Sequence, residues 1–358
     1  MTPGLGPEEY AARQNSQDAE QIVTKGVNAP YHLTQYGLTA LISDEILGLR
    51  LTSAIFALVI ATFLFLLLRS WFGHTIALFA SLIFLTTPWL VITARTGTAN
   101  IMLLWLVVPL ACFVLMTRSK GKVGIWWLLL CISIGLGLYI PGYTWFMLAA
   151  LAIASTAFLS VSRRISGLYL ILGMTIIILL VVPLILSLTI EPSRLKQLLL
   201  VPASWQPAVE TLKSIGWAAV ALLWRTREAV DIGIDHLAVL NILQIVLVIF
   251  GFYALASRAR NIVYILSGLL VFSILIAGIN NNPHYLLLGL PAIAVLVGAG
   301  LRYLFIEWKR VFPLNPFAYA LAISLISLVV VTHLIYAARY SLVAWPQTSQ
   351  TKSTYVLK

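Results

Sequence analysis

Between Asp44 and Asn100 the chain runs Asp44-Glu45-Ile46-Leu47-Gly48-Leu49-Arg50-Leu51-Thr52-Ser53, then apolar residues as far as Leu68, then Arg69-Ser70-Trp71-Phe72-Gly73. A second apolar stretch ends at Thr87-Pro88-Trp89, and Ala94-Arg95-Thr96-Gly97-Thr98-Ala99-Asn100 opens a third. An apolar helix of about 18 residues rises roughly 27 Å at 1.5 Å per residue, enough to cross a bilayer. The stretch therefore reads as two membrane-spanning helices joined by a short basic turn and ended by a sharp polar loop.

The rest of the chain has the same character. Hydrophobic residues make up 61% and charged residues 10% of the sequence, and mean hydropathy is +0.97, far from a soluble domain with about 25% charge. Ten apolar runs are long enough to span, near 51–68, 75–92, 99–116, 124–140, 143–160, 166–189, 237–255, 262–279, 284–304 and 317–338. The expected fold is all-α and polytopic, with about ten transmembrane helices and juxtamembrane helices at the outer face. It divides into an outer segment (1–50), six spans (51–189), an outer loop (190–236), four spans (237–338) and an outer tail (339–358).

Charge orients this topology. The net charge of +11 comes from basic residues clustered in short alternate loops: Arg69; Arg118, Lys120 and Lys122; Arg163 and Arg164; Arg258 and Arg260; Arg302, Lys309 and Arg310. That is the positive-inside pattern of a membrane protein and not a nucleic-acid-binding surface. Of the 12 acidic residues, all but Glu307 fall on the opposite, extracytoplasmic side, so acid–base chemistry belongs there. Cys112 and Cys131 lie within expected helices and suggest neither a disulfide nor a metal site.

Outside the spans, Pro7 suits the first turn of a surface helix whose dipole favours Glu8 and Glu9, and Gly26 suits its end. A second short helix is expected from Tyr31 to about Ile42. Tyr139-Ile140-Pro141-Gly142-Tyr143-Thr144-Trp145 allows only a tight hairpin. The loop of 190–236, with an amphipathic segment around Ala208 to Trp224, is long enough to act as a lid. Ten spans put both ends of the chain outside, so a helix upstream of Met1 is expected to be missing.

In order, Glu45, Arg50, Ser53, Gly73, Pro88 and Arg95 follow a pattern: an acidic residue, then Arg-Leu-Pro-Ser and an apolar run, a helix rich in small residues, a Pro, and Ala-Arg. With Thr52 where Pro is usual, this resembles the GT-C class of integral-membrane glycosyltransferases, in the branch of protein O-mannosyltransferases and the lipid A aminoarabinose transferase. The segment Asn282-Pro283-His284-Tyr285 resembles the late Arg-Tyr element of the class, with His284 in place of Arg. The resemblance implies an inverting glycosyltransferase that takes a sugar from a polyprenyl-phosphate donor, in the plasma or inner membrane with its site facing outward. The acceptor could be a glycan, a protein hydroxyl or a lipid.

Such a reaction needs a carboxylate to take the acceptor proton and cations to hold the departing phosphate. By position, the resemblance gives the base role to Glu8 or Glu9, while the same residues also suit a helix N-terminus. Donor and phosphate contacts fall to Arg95, Asn100, Arg225, Arg227, His284 and Tyr285; Arg95 could equally snorkel at the interface, and His284 would hold phosphate best when protonated. Asp44-Glu45 looks acidic enough for catalysis, but its register assigns Glu45 to a pair with Arg50. Asn100 and Asn28 stand where relatives carry acids. With so few carboxylates, no metal or other cofactor is expected. Two other classes stay open: a transporter or flippase, against which the scarcity of charge within the spans counts, and a noncatalytic scaffold on the same fold.

Overall fold

A computed structural model describes residues 4–119, 121–202, 204–226, 230–234, 236–313 and 315–357. They are helical almost throughout; strand-like pairing among them is limited to the isolated bridges Leu5–Leu357 and Arg225–Leu237. Of the two expected juxtamembrane helices, the one from Pro7 to Gly26 is broken into Pro7–Asn15 and Ala19–Lys25, and the other forms as Ala29–Leu41. Asp18 caps the second by accepting from Glu20 N at 3.0 Å, and Gly26, at φ +74, closes it in a backbone conformation that glycine adopts without strain.

The exact count of ten spans is not confirmed. Among the described residues, seven helical segments are long and apolar enough to cross a membrane: Glu45–Phe72, Ala99–Arg118, Tyr143–Ser162, Gly167–Ile190, Arg260–Ile279, Leu290–Val311 and Pro316–Gln347. An eighth is counted if the bent pair His74–Leu85 and Pro88–Arg95 is taken as one. The runs expected at 124–140 and 237–255 do form helices, but Val123–Gly137 and Ile242–Arg258 are shorter. The first stops where Gly137 meets the Tyr143 ring; a Cβ there would lie 2.3 Å from it. The second starts late because Asn241 and Gln244 close a reciprocal capping box at its N-terminus.

The 70° bend between His74–Leu85 and Pro88–Arg95 follows from local chemistry. Pro88 has no N–H, and Thr87 N turns back to Phe84 O at 3.1 Å instead of continuing the helical ladder. The Ile83 carbonyl so released accepts from Gln244 Nε2 and His333 Nε2, each at 3.0 Å. Asn241 Oδ1 is taken by Gln244 N, which leaves its Nδ2 to donate to His333 Nδ1 at 2.7 Å. His333 Nε2 must then carry the ring proton, since a carbonyl can only accept. Apolar surroundings make each of these partners necessary.

The chain forms two compact units, each drawn from separate stretches of sequence. The first comprises Pro7–Leu67 and Ala94–Trp205. In it Gly167–Ile190 packs on Val123–Gly137 and on Ala19–Lys25, and Ala29–Leu41 packs on the 3-10 turn Ala99–Leu104. The second comprises Met1–Gly6, Leu68–Thr93 and Gln206–Lys358. Its centre is the crossing of Ile242–Arg258 with Leu290–Val311. Gly251 and Gly300 let those backbones touch: a Cβ on either would lie 2.1 Å from the facing carbonyl, of Leu296 and Leu247 respectively. The amphipathic segment expected in the long loop is the helix Ala208–Leu223, which packs on Arg260–Ile279 through Ser214, Ala218, Ala221 and Leu222.

Candidate functional site

The first unit brings two of its acidic residues, Glu8 and Glu9, to one polar loop. Pro7 starts the helix, and Glu8 and Glu9 occupy its first turn, but adjacent positions on a helix point about 100° apart. Glu9 turns inward and is 1% exposed. Its Oε1 accepts from Arg50 Nε at 3.0 Å and from Gly97 N at 2.8 Å, and its Oε2 accepts from Arg50 Nη2 at 3.1 Å. This side-on pairing uses the planar fork of the guanidinium. Glu8 faces outward, is exposed, and accepts from Asn100 Nδ2 at 2.8 Å on Oε2.

The loop between Arg95 and Asn100 is fixed from several sides. Beyond the Gly97 N–H on Glu9, Gln35 Nε2 donates to Gly97 O at 3.2 Å and Ser53 Oγ lies 3.2 Å from Thr98 O. Ser53 Oγ also meets the buried Tyr31 hydroxyl at 2.7 Å. Burial raises the Tyr31 pKa well above its ordinary value, so it enters this network as a neutral phenol. Gln35 in turn joins Ser16 Oγ at 2.5 Å, which lies 2.8 Å from His32 Nδ1. Desolvation lowers the His32 pKa to about 4, keeping this imidazole neutral at physiological pH.

The acidic pair Asp44-Glu45 has other work. Asp44 Oδ1 accepts from Leu47 N at 3.1 Å and so caps the following helix. The pairing of Glu45 with Arg50 is corrected: Glu45 binds Arg13, with Nε–Oε1 at 2.6 Å and Nη2–Oε2 at 2.8 Å. Five residues apart on one helix, Glu45 and Arg50 point about 140° away from each other. Asn28 takes up the left-handed conformation, φ +54, and donates its N–H to Tyr139 O at 2.9 Å. Its residue type suits that backbone position, which Asn adopts readily.

Arg95, half-buried, ends Pro88–Arg95, where a cation suits the C-terminal end of a helix dipole. In the second unit His284 is buried in the 3-10 turn Pro283–Leu288, with half-buried Tyr285 beside it. The turn is held by His284 N on Asn282 Oδ1 at 3.0 Å. The His284 and Trp89 rings lie 6.3 Å apart between centroids. Trp89 also lines a largely apolar cavity of about 230 Å³ with Ser214, Trp217, Ala221, Asn281 and Leu286. Its buried Nε1 has no acceptor among the described residues. Arg225 is exposed at the end of Ala208–Leu223, in the isolated bridge with Leu237. Arg227 lies outside the described residues.

Comparison with known proteins adds to this geometry. Residues 31–186 match the sequence family described as dolichyl-phosphate-mannose-protein mannosyltransferase. In three dimensions the chain is similar to ArnT from Cupriavidus metallidurans in its apo state, with a TM-score of 0.59 at 17% identity, covering 96% of this chain and 71% of ArnT. It is also similar to the same organism's ArnT bound to undecaprenyl phosphate, with a TM-score of 0.52 at 16% identity, covering 95% and 71%. The chain has an all-helical fold like that of ArnT. A search of curated proteins gave no significant match.

In the sequence, the order of Arg50, Ser53, Pro88 and Arg95 was the legible part. The partners of Arg50 and Gly97 were not, because they lie 41 and 88 residues away in sequence. Ser16, His32 and Gln35 were missed as a group. A signal for them exists: Tyr31, His32 and Gln35 are polar at relative positions 0, 1 and 4 of a helix, which places them on one side of it.

Proposed function

We propose that this protein is a membrane glycosyltransferase that moves a sugar from a polyprenyl-phosphate donor to an acceptor at the extracytoplasmic face, with Glu8 as the base. The observation that carries this assignment is the division of labour between neighbours: both Glu9 oxygens are committed to Arg50 and Gly97, whereas Glu8 is exposed and oriented by Asn100. In the reaction the acceptor oxygen bonds to the anomeric carbon as Glu8 takes its proton. The bond from that carbon to the donor phosphate breaks, and the phosphate leaves with the electron pair. A single displacement of this kind inverts the anomeric centre.

The polyprenyl class of donor is supported by the likeness to an ArnT structure that holds undecaprenyl phosphate. Arg95, His284, Tyr285 and Arg225 retain the phosphate roles implied by their residue types.

The test is release of free polyprenyl phosphate from a panel of polyprenyl-phosphate sugars by the protein in lipid nanodiscs. Glu8→Gln is expected to abolish sugar-dependent release by at least about 100-fold, in the range of general-base catalysis. Release that survives Glu8→Gln would move the base elsewhere, and absence of release with every donor would favour a carrier or scaffold on this fold. No metal enters the proposed chemistry, so release should persist in EDTA; loss restored by a divalent cation would make Glu8 a metal ligand instead.

A further inference from the structure

The relation between Asn100 and Glu8 goes beyond the role the sequence suggests for Asn100, that of a hydrogen-bonding partner for sugar. Asn100 lies in the 3-10 turn Ala99–Leu104, immediately after a loop whose backbone is held on both sides of Gly97, by Glu9 and by Gln35, and at Thr98 by Ser53. The frame is tight as well as bonded: a Cβ on Gly97 would sit 3.2 Å from Leu49 Cβ. Buried groups therefore set where Asn100 stands. Its Nδ2 then reaches out to the exposed Glu8 Oε2 at 2.8 Å.

An amide is well suited to this contact. It offers a neutral N–H to a carboxylate that must accept a proton, without the full charge of Lys or Arg, which would hold the carboxylate ionised and oppose protonation. An aspartate in its place would put a second negative charge at hydrogen-bonding distance. Within the first unit, the other charged groups on the Glu8 helix and its partners are already matched: Glu9 with Arg50, and Arg13 with Glu45.

We propose that Asn100 is a positioning residue that aims the Glu8 carboxylate for proton transfer, and that Gln35 acts behind it by fixing the Gly97 peptide. This rests on the assignment of Glu8 as base. Asn100 does not hold substrate in this role, so its loss changes turnover and not donor affinity.

The experiment compares parent, Asn100→Ala, Asn100→Asp and Gln35→Leu in nanodiscs, following polyprenyl-phosphate release against donor concentration and pH, with Glu8→Gln as reference. Asn100→Ala is expected to lower kcat about 10- to 100-fold with KM for the donor unchanged within twofold. Asn100→Asp should move the acid limb of the kcat profile to higher pH, because adjacent carboxylates resist ionising together. Gln35→Leu should lower kcat with the parent pH profile retained. Raised KM at unchanged kcat in Asn100→Ala would overturn the proposal and return Asn100 to the substrate. An unchanged profile in Asn100→Asp would likewise overturn it. Normal release by Glu8→Gln would instead defeat the base assignment itself. Should no donor be turned over, carboxyl NMR of ¹³C-glutamate-labelled protein decides: the Glu8 signal, identified by its loss in Glu8→Gln, must change its titration in Asn100→Asp, and an unaltered titration overturns the proposal.

Discussion

Two buried polar networks face the same difficulty, polar groups removed from water, and meet it with different chemistry. In the first unit the solution is ionic: Glu9 and Arg50 pair side-on and Gly97 N–H adds a third bond. In the second it is neutral: Gln244 and His333 share the Ile83 carbonyl that Thr87 N–H leaves when it bonds Phe84 O, and Asn241 orients the imidazole. The ionic network lies at the N-terminal end of the first long helix, Glu45–Phe72, where the short helix Pro7–Asn15 and the loop before Asn100 meet it. The neutral network lies among apolar helices long enough to cross a membrane, where a lone charge would cost several kcal/mol. Charge is placed where a loop must be pinned in one position, and uncharged amide and imidazole groups are placed where a helix must be broken without exposing its backbone.

The largest effect should come from splitting the ion pair. Glu9→Gln leaves Arg50 buried without its counter-charge and should cost about 3–5 kcal/mol, with Arg50→Met costing a similar amount; the double variant should recover much of the loss. Thermal unfolding in detergent, followed by size-exclusion chromatography, checks this. Single variants as stable as the parent would mean that water reaches the pair and that the loop is pinned by other bonds.

Next in size is an effect of acid on the first network alone. His32 has an ordinary pKa of 6.5 that burial lowers to about 4. The unfolded chain therefore binds a proton in this range that the folded chain refuses, and the stability contributed above pH 6.5 is lost progressively as pH falls towards 4. At 1.36 kcal/mol per pH unit the loss approaches roughly 3 kcal/mol. The fall in unfolding temperature between pH 7 and pH 4.5 should be much smaller in His32→Gln than in the parent.

The smallest effects belong to the neutral network taken one residue at a time. Gln244→Leu leaves Ile83 O bonded to His333 but also removes the acceptor of Asn241 N and the donor to Thr87 Oγ1, and should cost about 2 kcal/mol, whereas His333→Phe leaves Ile83 O bonded to Gln244 and should cost only about 1 kcal/mol. Together they strip the carbonyl, and the double variant should lose about 1–2 kcal/mol more than the sum of the singles. Strict additivity in unfolding would show that the bent chain finds another donor.

Much of the fold was legible because membrane insertion leaves a coarse signal. All ten apolar runs are helical in whole or in large part, and two of the short outer helices begin at or beside the prolines that predict them, Pro7 and Pro30, while the start of Ala19–Lys25 was not foreseen. The exact number of spans is not settled by hydropathy, which does not register where a helix stops: Val123–Gly137 and Ile242–Arg258 are shorter than the runs that predict them, and the chain bends by 70° before Pro88. Around the candidate site, residue order located the loop Ala94–Asn100 and the acidic turn, but not the choice between Glu8 and Glu9. That choice depends on which side of one helix turn faces Arg50, and Arg50 itself was expected to pair with Glu45. Local spacing could have excluded that pair, since five residues place the two side chains on different faces; no spacing rule could have supplied Glu9 from 41 residues away.

The helix Glu45–Phe72 also acts as a ruler. Its 28 residues extend about 42 Å, while Arg50 and exposed Arg69 are separated by 19 positions, or roughly 28 Å along the axis. That spacing nearly equals the hydrocarbon thickness of a typical bilayer, about 30 Å. With Arg69 at one boundary, Arg50 and the carboxylate it holds stand level with the lipid headgroups of the other. A thicker bilayer would draw that end of the ruler towards the hydrocarbon and a thinner one would lift it clear, each at a cost of fractions of a kcal/mol per ångström. Lipid chain length thereby becomes an adjustment on the loop that Glu9 anchors.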